Sequence, residues 1–422
     1  MIQYKLQKLR KERYAMTNAI RWGKPGVENP HVRPPTVGRP EGVAMRGAKP
    51  RRGFLRDKCL VIVALMSLMA GDAVAAKKEP AVTENYDWRE GSALTVEGWG
   101  FPQTETPFVR LPNRWKTKVT SAVWNLSQTS IGFSTRFVTD SNEIVVRWTV
   151  RSSLKPLEQI PFEGHAGIDV YRRAAGGTWE HVKAFGPDPA SGRGEARVPW
   201  RPGDEALVYL PIRTAPQTFS VGVKKGKSFK TAPAHVVAKP IVHYGTSIVN
   251  GGGVSRGGLV FSSRMGRLVD AEVVDLGFSG SGKMELPMAD LVAEIDASLY
   301  IIDCDWNMSR PVQEANYELF MRRLKELRPD TPILVCGGCT DQNVPRAQEI
   351  FAKGILDKLR AEAPTKWANM TFLTGVGMLP QDSECTHDHC HPNDYGAMQM
   401  SKVYAEAVSR ILRRGDTPRK AQ

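Results

Sequence analysis

Cysteine and acidic residues are both scarce in this chain of 422 residues, which has 6 Cys and 44 Asp/Glu against 58 Lys/Arg. One cysteine, Cys59, lies in an apolar run near the start; the other five, Cys304, Cys336, Cys339, Cys385 and Cys390, are an odd number. They cannot all pair within one chain, and an apolar content of 41% makes a hydrophobic core the source of stability. The run from Cys59 to Ala70 is shorter than the roughly 20 residues a membrane span needs. The shortage of acid leaves a formal charge of +14, which on a folded surface points to nucleic acid or an anionic membrane. It does not sit on one: residues 1–76 hold 15 Lys/Arg against 5 Asp/Glu, 10 of the 14 net charges. No nucleic-acid partner is expected.

That leader ends in a readable order. Arg51 to Lys58 is basic, Cys59 to Ala70 is apolar, and Ala73-Val74-Ala75 offers the small residues of a cleavage site, the pattern of an export signal. Arg56-Asp57-Lys58 before Cys59 is no lipidation box. The expectation is an exported protein, periplasmic or extracellular, with no stable membrane insertion after cleavage. Met45 would begin a signal of ordinary length, so it competes with Met1 as the start.

Residues 86–238 read as a β-domain. Runs such as Ser130–Phe137 and Glu143–Val150 alternate apolar and polar residues between turn clusters, and no long amphipathic pattern interrupts them, which argues for a sandwich or jelly roll. Lys224 to Pro240 reads as a connector. From residue 239 to 415 the pattern becomes strand, loop and helix in alternation. Strands are expected at Val236–Tyr244, Glu272–Leu276, Leu299–Asp303, Pro332–Cys336 and Met370–Leu373. Helices are expected at Gly258–Val269, Glu285–Ile295, Pro311–Leu327, Arg346–Ala361 and Tyr395–Leu412. Such alternation implies a parallel sheet covered by helices on both faces, with its site at the carboxyl ends of the strands.

Three polar segments fall at those ends. Gly245-Thr246-Ser247 follows the first strand, Asn307 follows the third, and Asp388-His389-Cys390-His391-Pro392 precedes the last helix. Alone, each reads as an ordinary turn or loop. Together they supply what acyl transfer through a serine ester needs: a hydroxyl, a base, a group to orient the base, and donors for an oxyanion. Ser247 is the candidate nucleophile, His391 the base and Asp388 its orienting carboxylate. The oxyanion donors are the Ser247 and Gly280 N–H groups and the Asn307 amide.

Tyr244–Ile248, Leu276–Gly280 and Asp388–Pro392 resemble, in order and spacing, the blocks of the SGNH hydrolases, also called GDSL-like. The resemblance assigns Ser247, Gly280, Asn307 and His391 to the four named residues. Gly167-Ile168-Asp169-Val170-Tyr171 resembles the GxDLY motif of the β-domain that precedes one branch of the family. The resemblance implies a flavodoxin-like three-layer α/β/α fold with a parallel sheet, preceded by an all-β domain. It further implies a serine esterase without metal or organic cofactor, acting on small acyl groups such as acetyl on a small-molecule or glycan ester. Two departures stand out: Thr246 replaces the usual acidic residue before the nucleophile, and Asp305-Trp306-Asn307-Met308 replaces Gly-x-Asn-Asp.

Several readings stay open at this point. Trp306 is either a wall of the substrate pocket or core packing. Asp169 and Tyr171 suit a structural role, as an edge-strand carboxylate and a half-buried ring, better than substrate contact, and Lys283 and Glu285 read as helix-start charges. Cys385 and Cys390 could bridge across the Asp388 loop. Cys336 and Cys339 could join Cys385, His387 and Cys390 around zinc, although a buried strand-end thiol beside a tight turn is the commoner arrangement. An acyltransferase using Ser247, or a glycan-binding protein with a decayed hydrolase, are the alternatives to an esterase. Oligomeric state is not legible.

Overall fold

The computed structural model describes residues 85–415 apart from residues 103 and 156; the basic leader and its export signal lie outside the described residues. The first layer pair is antiparallel. Strands β1 (Tyr86–Glu90), β2 (Val96–Glu97), β3 (Ser134–Thr139), β4 (Glu143–Thr149), β5 (Ile168–Arg173), β6 (Glu180–Phe185), β7 (Arg193–Pro199), β8 (Glu205–Tyr209), β9 (Thr218–Lys224) and β10 (Phe229–Thr231) form two sheets. One has the order β1-β9-β4-β7; the other has β10-β3-β8-β5-β6, with β2 paired to β3. Alternation drives this arrangement: along β7 only Ala196 and Val198 are buried, so one face of the strand meets the core and the other meets water. Phe137, Val146, Trp148, Val170, Val208 and Val221 fill the space between the sheets. The expected connector is partly ordered into structure, since β10 pairs with β3 and the next strand begins at Val237.

That strand, β11 (Val237–Gly245), opens a five-stranded sheet with β12 (Ala271–Gly277), β13 (Leu299–Asp303), β14 (Ile333–Cys336) and β15 (Met370–Leu373). Every pairing in it is parallel, in the order β12-β11-β13-β14-β15. All residues of β13 and β14 are buried, as expected of strands covered on both faces. Helices α4 (Leu286–Glu294), α5 (Arg310–Leu327) and α6 (Ala347–Glu362) cover one face, through Met288, Phe320 and Leu356 packed on Tyr244 and Ile302. On the other face, α3 (Phe261–Val269) and α7 (Asp394–Gly415) pack Met265 and Met400 against Ile241 and Ile301. The apolar stripe of α5, Tyr317, Phe320, Met321 and Leu324, repeats at three- and four-residue steps, which is why that segment is helical. Among the described residues no helix is long and apolar enough to cross a membrane.

The segment between β2 and β3 behaves differently from the sandwich around it. It includes a short helix, α1 (Ser121–Leu126), capped by the Thr120 hydroxyl. Its Phe101, Leu111, Trp115 and Val123 bury themselves in the apolar cluster under α4 and α5, so sequence from the β-rich half completes the core of the α/β half. A second short helix, α2 (Phe162–Ala166), precedes β5.

Candidate active site

In a sheet of this order the crest where strand order reverses lies between β11 and β13, and ligands bind outside the carboxyl ends of the strands there. Gly245 ends β11 and Ser247 follows it; Asn307 lies just beyond β13 in a single turn, Asp305–Asn307. The close approach of strands explains Gly245: a Cβ there would lie 2.6 Å from the Asp303 carbonyl oxygen.

Ser247 Oγ lies 2.8 Å from His391 Nε2, and His391 Nδ1 lies 2.8 Å from Asp388 Oδ2. A carboxylate can only accept, so Nδ1 carries the proton and Nε2 is left to accept from the serine hydroxyl. The other Asp388 oxygen accepts the backbone N–H groups of His391 (2.8 Å) and Cys390 (3.1 Å). Partial burial works against ionisation of Asp388, but these hydrogen bonds and the imidazole outweigh it and hold the carboxyl at about 2. The thiol of Cys390 goes the other way: burial first, then the Asp388 charge, push it up to about 11. It stays protonated beside the imidazole, which leaves it a poor nucleophile.

Backbone pairing holds the loop bearing this pair. His387 N–H donates to the His391 carbonyl (3.0 Å), Asn393 N–H donates to that of Cys385 (3.1 Å), and Thr386 bridges Pro392. His389 at the tip has φ 61°, a left-handed conformation costly for a residue with a Cβ. The contemplated Cys385–Cys390 bridge is not made, and both thiols are free. The hydrogen bonds across the loop do the stiffening. Nor do the cysteines gather around a metal. Cys336, Cys339 and Cys385 pack in the apolar cluster beneath α3 and α7, where burial raises the first two thiols well above their ordinary range. Among the described residues no group of three His, Cys, Asp or Glu side chains is arranged to hold an ion.

The candidate oxyanion donors Gly280 and Asn307 come from two loops. Gly280 is exposed, has φ 67°, and has nothing within 4 Å of where a Cβ would stand; its glycine serves the backbone turn. Asn307 Oδ1 accepts the Gly282 N–H at 3.2 Å, which fixes the amide and leaves its Nδ2 hydrogens for a ligand. Trp306 is partly buried. Its indole N–H donates to the Cys339 carbonyl (3.0 Å), its ring joins the apolar cluster while staying partly exposed, and the Arg346 guanidinium stacks on it at 3.4 Å.

Asp169 is not on an edge strand, because β5 lies between β8 and β6. Its carboxylate accepts from Arg256 (2.8 Å) and the Gly258 N–H (2.9 Å) beyond β11, and its other oxygen lies 3.0 Å from His181 Nε2. The Tyr171 ring lies 4.2 Å from the Arg267 guanidinium. The motif docks the β-domain onto the α/β domain. The sequence reading missed Arg213, Asn250, Ser279 and Gly282, which brace the two oxyanion loops. No local pattern marks them, because their partners, side-chain oxygens as well as backbone carbonyls, are brought close only by folding.

Residues 238–413 match the model of the GDSL-like lipase/acylhydrolase family, and residues 86–229 match that of the N-terminal domain of SGNH-hydrolase-type esterases. Among solved structures, a Bacteroides ovatus protein described as a GDSL-like lipase is 27% identical, with a TM-score of 0.68 over 78% of this chain and 98% of its own. The salicylyl-acyltransferase SsfX3 of a tetracycline biosynthetic pathway shares the fold at 17% identity, with a TM-score of 0.63 over 79% of this chain and 98% of its own. A search of curated proteins gives no match. Both halves of the described chain thus lead to one assignment: it belongs to the SGNH (GDSL-like) hydrolase family, in the branch with an N-terminal GxDLY domain, and is an ester-hydrolysing serine hydrolase.

Proposed function

We propose that the protein is an exported esterase that removes short acyl groups, acetyl in particular, from carbohydrate esters through an acyl-enzyme on Ser247. The observation that carries this reading is the unbroken hydrogen-bonded line from Ser247 Oγ through His391 to Asp388, 2.8 Å at each step. His391 takes the serine proton as Oγ attacks the ester carbonyl, and the N–H groups of Ser247 and Gly280 with the Asn307 amide receive the oxyanion. His391 then returns the proton to the leaving alcohol. Water, activated by the same imidazole, releases the acid.

The side chains of His391 and Asp388 are 27% and 36% exposed, so water reaches the base, which favours hydrolysis over transfer to another alcohol. The rim formed by Gly280, Asp388 and His389 is exposed and polar, which suits a sugar better than a lipid as the alcohol portion. The stacked Trp306–Arg346 pair beside Asn307 favours a small acyl group. Export rests on the basic and apolar order of residues 51–75. The test is a panel of acetylated sugars and p-nitrophenyl esters of increasing chain length, with Ser247→Ala alongside. Turnover is expected to be highest for acetyl esters and lost in the variant; equal turnover by the variant, or a preference for long chains, contradicts the proposal.

A further inference from the structure

Arg213 comes from the β-rich half of the chain, between β8 and β9, and ends against the turn that carries Ser247. One nitrogen, Nη1, donates to the Asn250 side-chain oxygen; the other, Nη2, donates to the Gly252 carbonyl at 3.1 Å. Both acceptors belong to the turn. Gly252 N–H closes it by donating to the Ser247 carbonyl at 2.8 Å, and Asn250 N–H donates to that of Thr246 at 3.0 Å. Asn250 also reaches the second oxyanion loop: its Nδ2 donates to the Gly277 carbonyl at 3.2 Å, and its Oδ1 accepts from Ser279 Oγ at 3.2 Å. The loop with Gly280 is therefore tied to the Ser247 turn through Asn250 and to Asn307 through Gly282. Arg213 fixes the oxygen of the asparagine at the centre of that chain. Burial, and then the neighbouring Arg110 charge, lower its guanidinium to about 10, yet it remains a cation at neutral pH.

We infer that Arg213 is a positioning residue of the oxyanion hole, through which the β-domain sets the geometry of the hydrolase site. This rests on the esterase reading above. A planar guanidinium spans two acceptors with one rigid fork, which a single ammonium cannot reproduce. Loss of the fork leaves Asn250 free to turn, and small displacements of oxyanion donors cost rate more than substrate affinity, because their interaction grows toward the transition state.

The experiment uses the full chain with p-nitrophenyl acetate, comparing wild type, Arg213→Ala, Arg213→Lys, Asn250→Ala, the Arg213→Ala/Asn250→Ala double variant and Ser247→Ala. The expected result for Arg213→Ala is a kcat roughly 10- to 100-fold lower, with KM within about twofold. Guanidinium ion at tens of millimolar restores part of the rate in this variant but not in Ser247→Ala. The double variant loses no more than the worse single one, because both act on one linkage. Arg213→Lys keeps the charge and the bulk, so it folds even where Ala does not, and it shows the same kcat loss. A kcat within about threefold of wild type in both arginine variants, a loss confined to KM, additive losses in the double variant, or no response to guanidinium in folded protein would each overturn the inference. Equal turnover by wild type and Ser247→Ala would instead remove the esterase reading, and this inference with it.

Discussion

At the residue scale Asp388 both orients His391 and keeps its own charge. The carboxylate accepts the Nδ1 proton and two backbone N–H groups, so Asp388→Asn removes the acceptor that selects the reactive tautomer. Its kcat should fall by about 10²- to 10⁴-fold with little change in KM. The same carboxylate has a pH signature. Its folded value, about 2, lies below the roughly 3.9 of an unfolded aspartate, so its contribution to stability is complete above that range and fades as pH falls toward 2. Thermal melts between pH 6 and pH 2 should show wild type losing more of its Tm than Asp388→Asn across the acid interval; parallel curves would contradict the assignment.

At the element scale two neighbouring glycines serve different ends. Gly280 has φ 67° with open space around it, whereas a Cβ on Gly282 would lie 2.3 Å from the Gly245 carbonyl oxygen. Gly280→Ala therefore meets only the backbone penalty of a left-handed residue, about 1–2 kcal/mol. Gly282→Ala must push two backbones apart and should cost more than about 2 kcal/mol. Denaturant unfolding of both variants checks the order, and a larger loss for Gly280→Ala would mean that the loop is held otherwise than described. Most elements were legible in the sequence because their patterns are local. Leu299–Asp303 reads as a buried strand from its apolar run, and Tyr317, Phe320, Met321 and Leu324 mark one helical face. The short helix Ser121–Leu126 and the strand Phe229–Thr231 were not. The first gains its burial from the α/β core and the second from pairing with β3, and neither partner is near in sequence.

At the scale of the whole chain, the two halves are joined by buried charge as well as by apolar packing. Arg110, fully buried, donates to the carbonyls of Asp275 (3.3 Å), Gly277 (2.7 Å) and Leu126 (2.6 Å) and sits over the Phe278 ring. Asp169 does the equivalent from β5, with its side chain 2% exposed against 19% for Arg256. Breaking a buried pair leaves one charge without a partner, so Asp169→Ala should lower stability by about 3–5 kcal/mol. Calorimetry checks this: one transition moved to lower temperature is expected, and an unchanged Tm would refute the docking role. The candidate site residues Ser247, Gly280, Asn307, Asp388 and His391 could be proposed from sequence because each sits in a short block after a strand. Arg213 and Asn250 could not, because what they do depends on the sandwich meeting the hydrolase sheet.

In the proposed mechanism the acyl group passes through an ester on Ser247. Mass spectrometry of the protein quenched in acid during turnover of p-nitrophenyl acetate tests it most directly. One added acetyl group is expected on the peptide containing Ser247, absent from the Ser247→Ala variant. Acetyl on another residue, or turnover that persists in the variant, would contradict it.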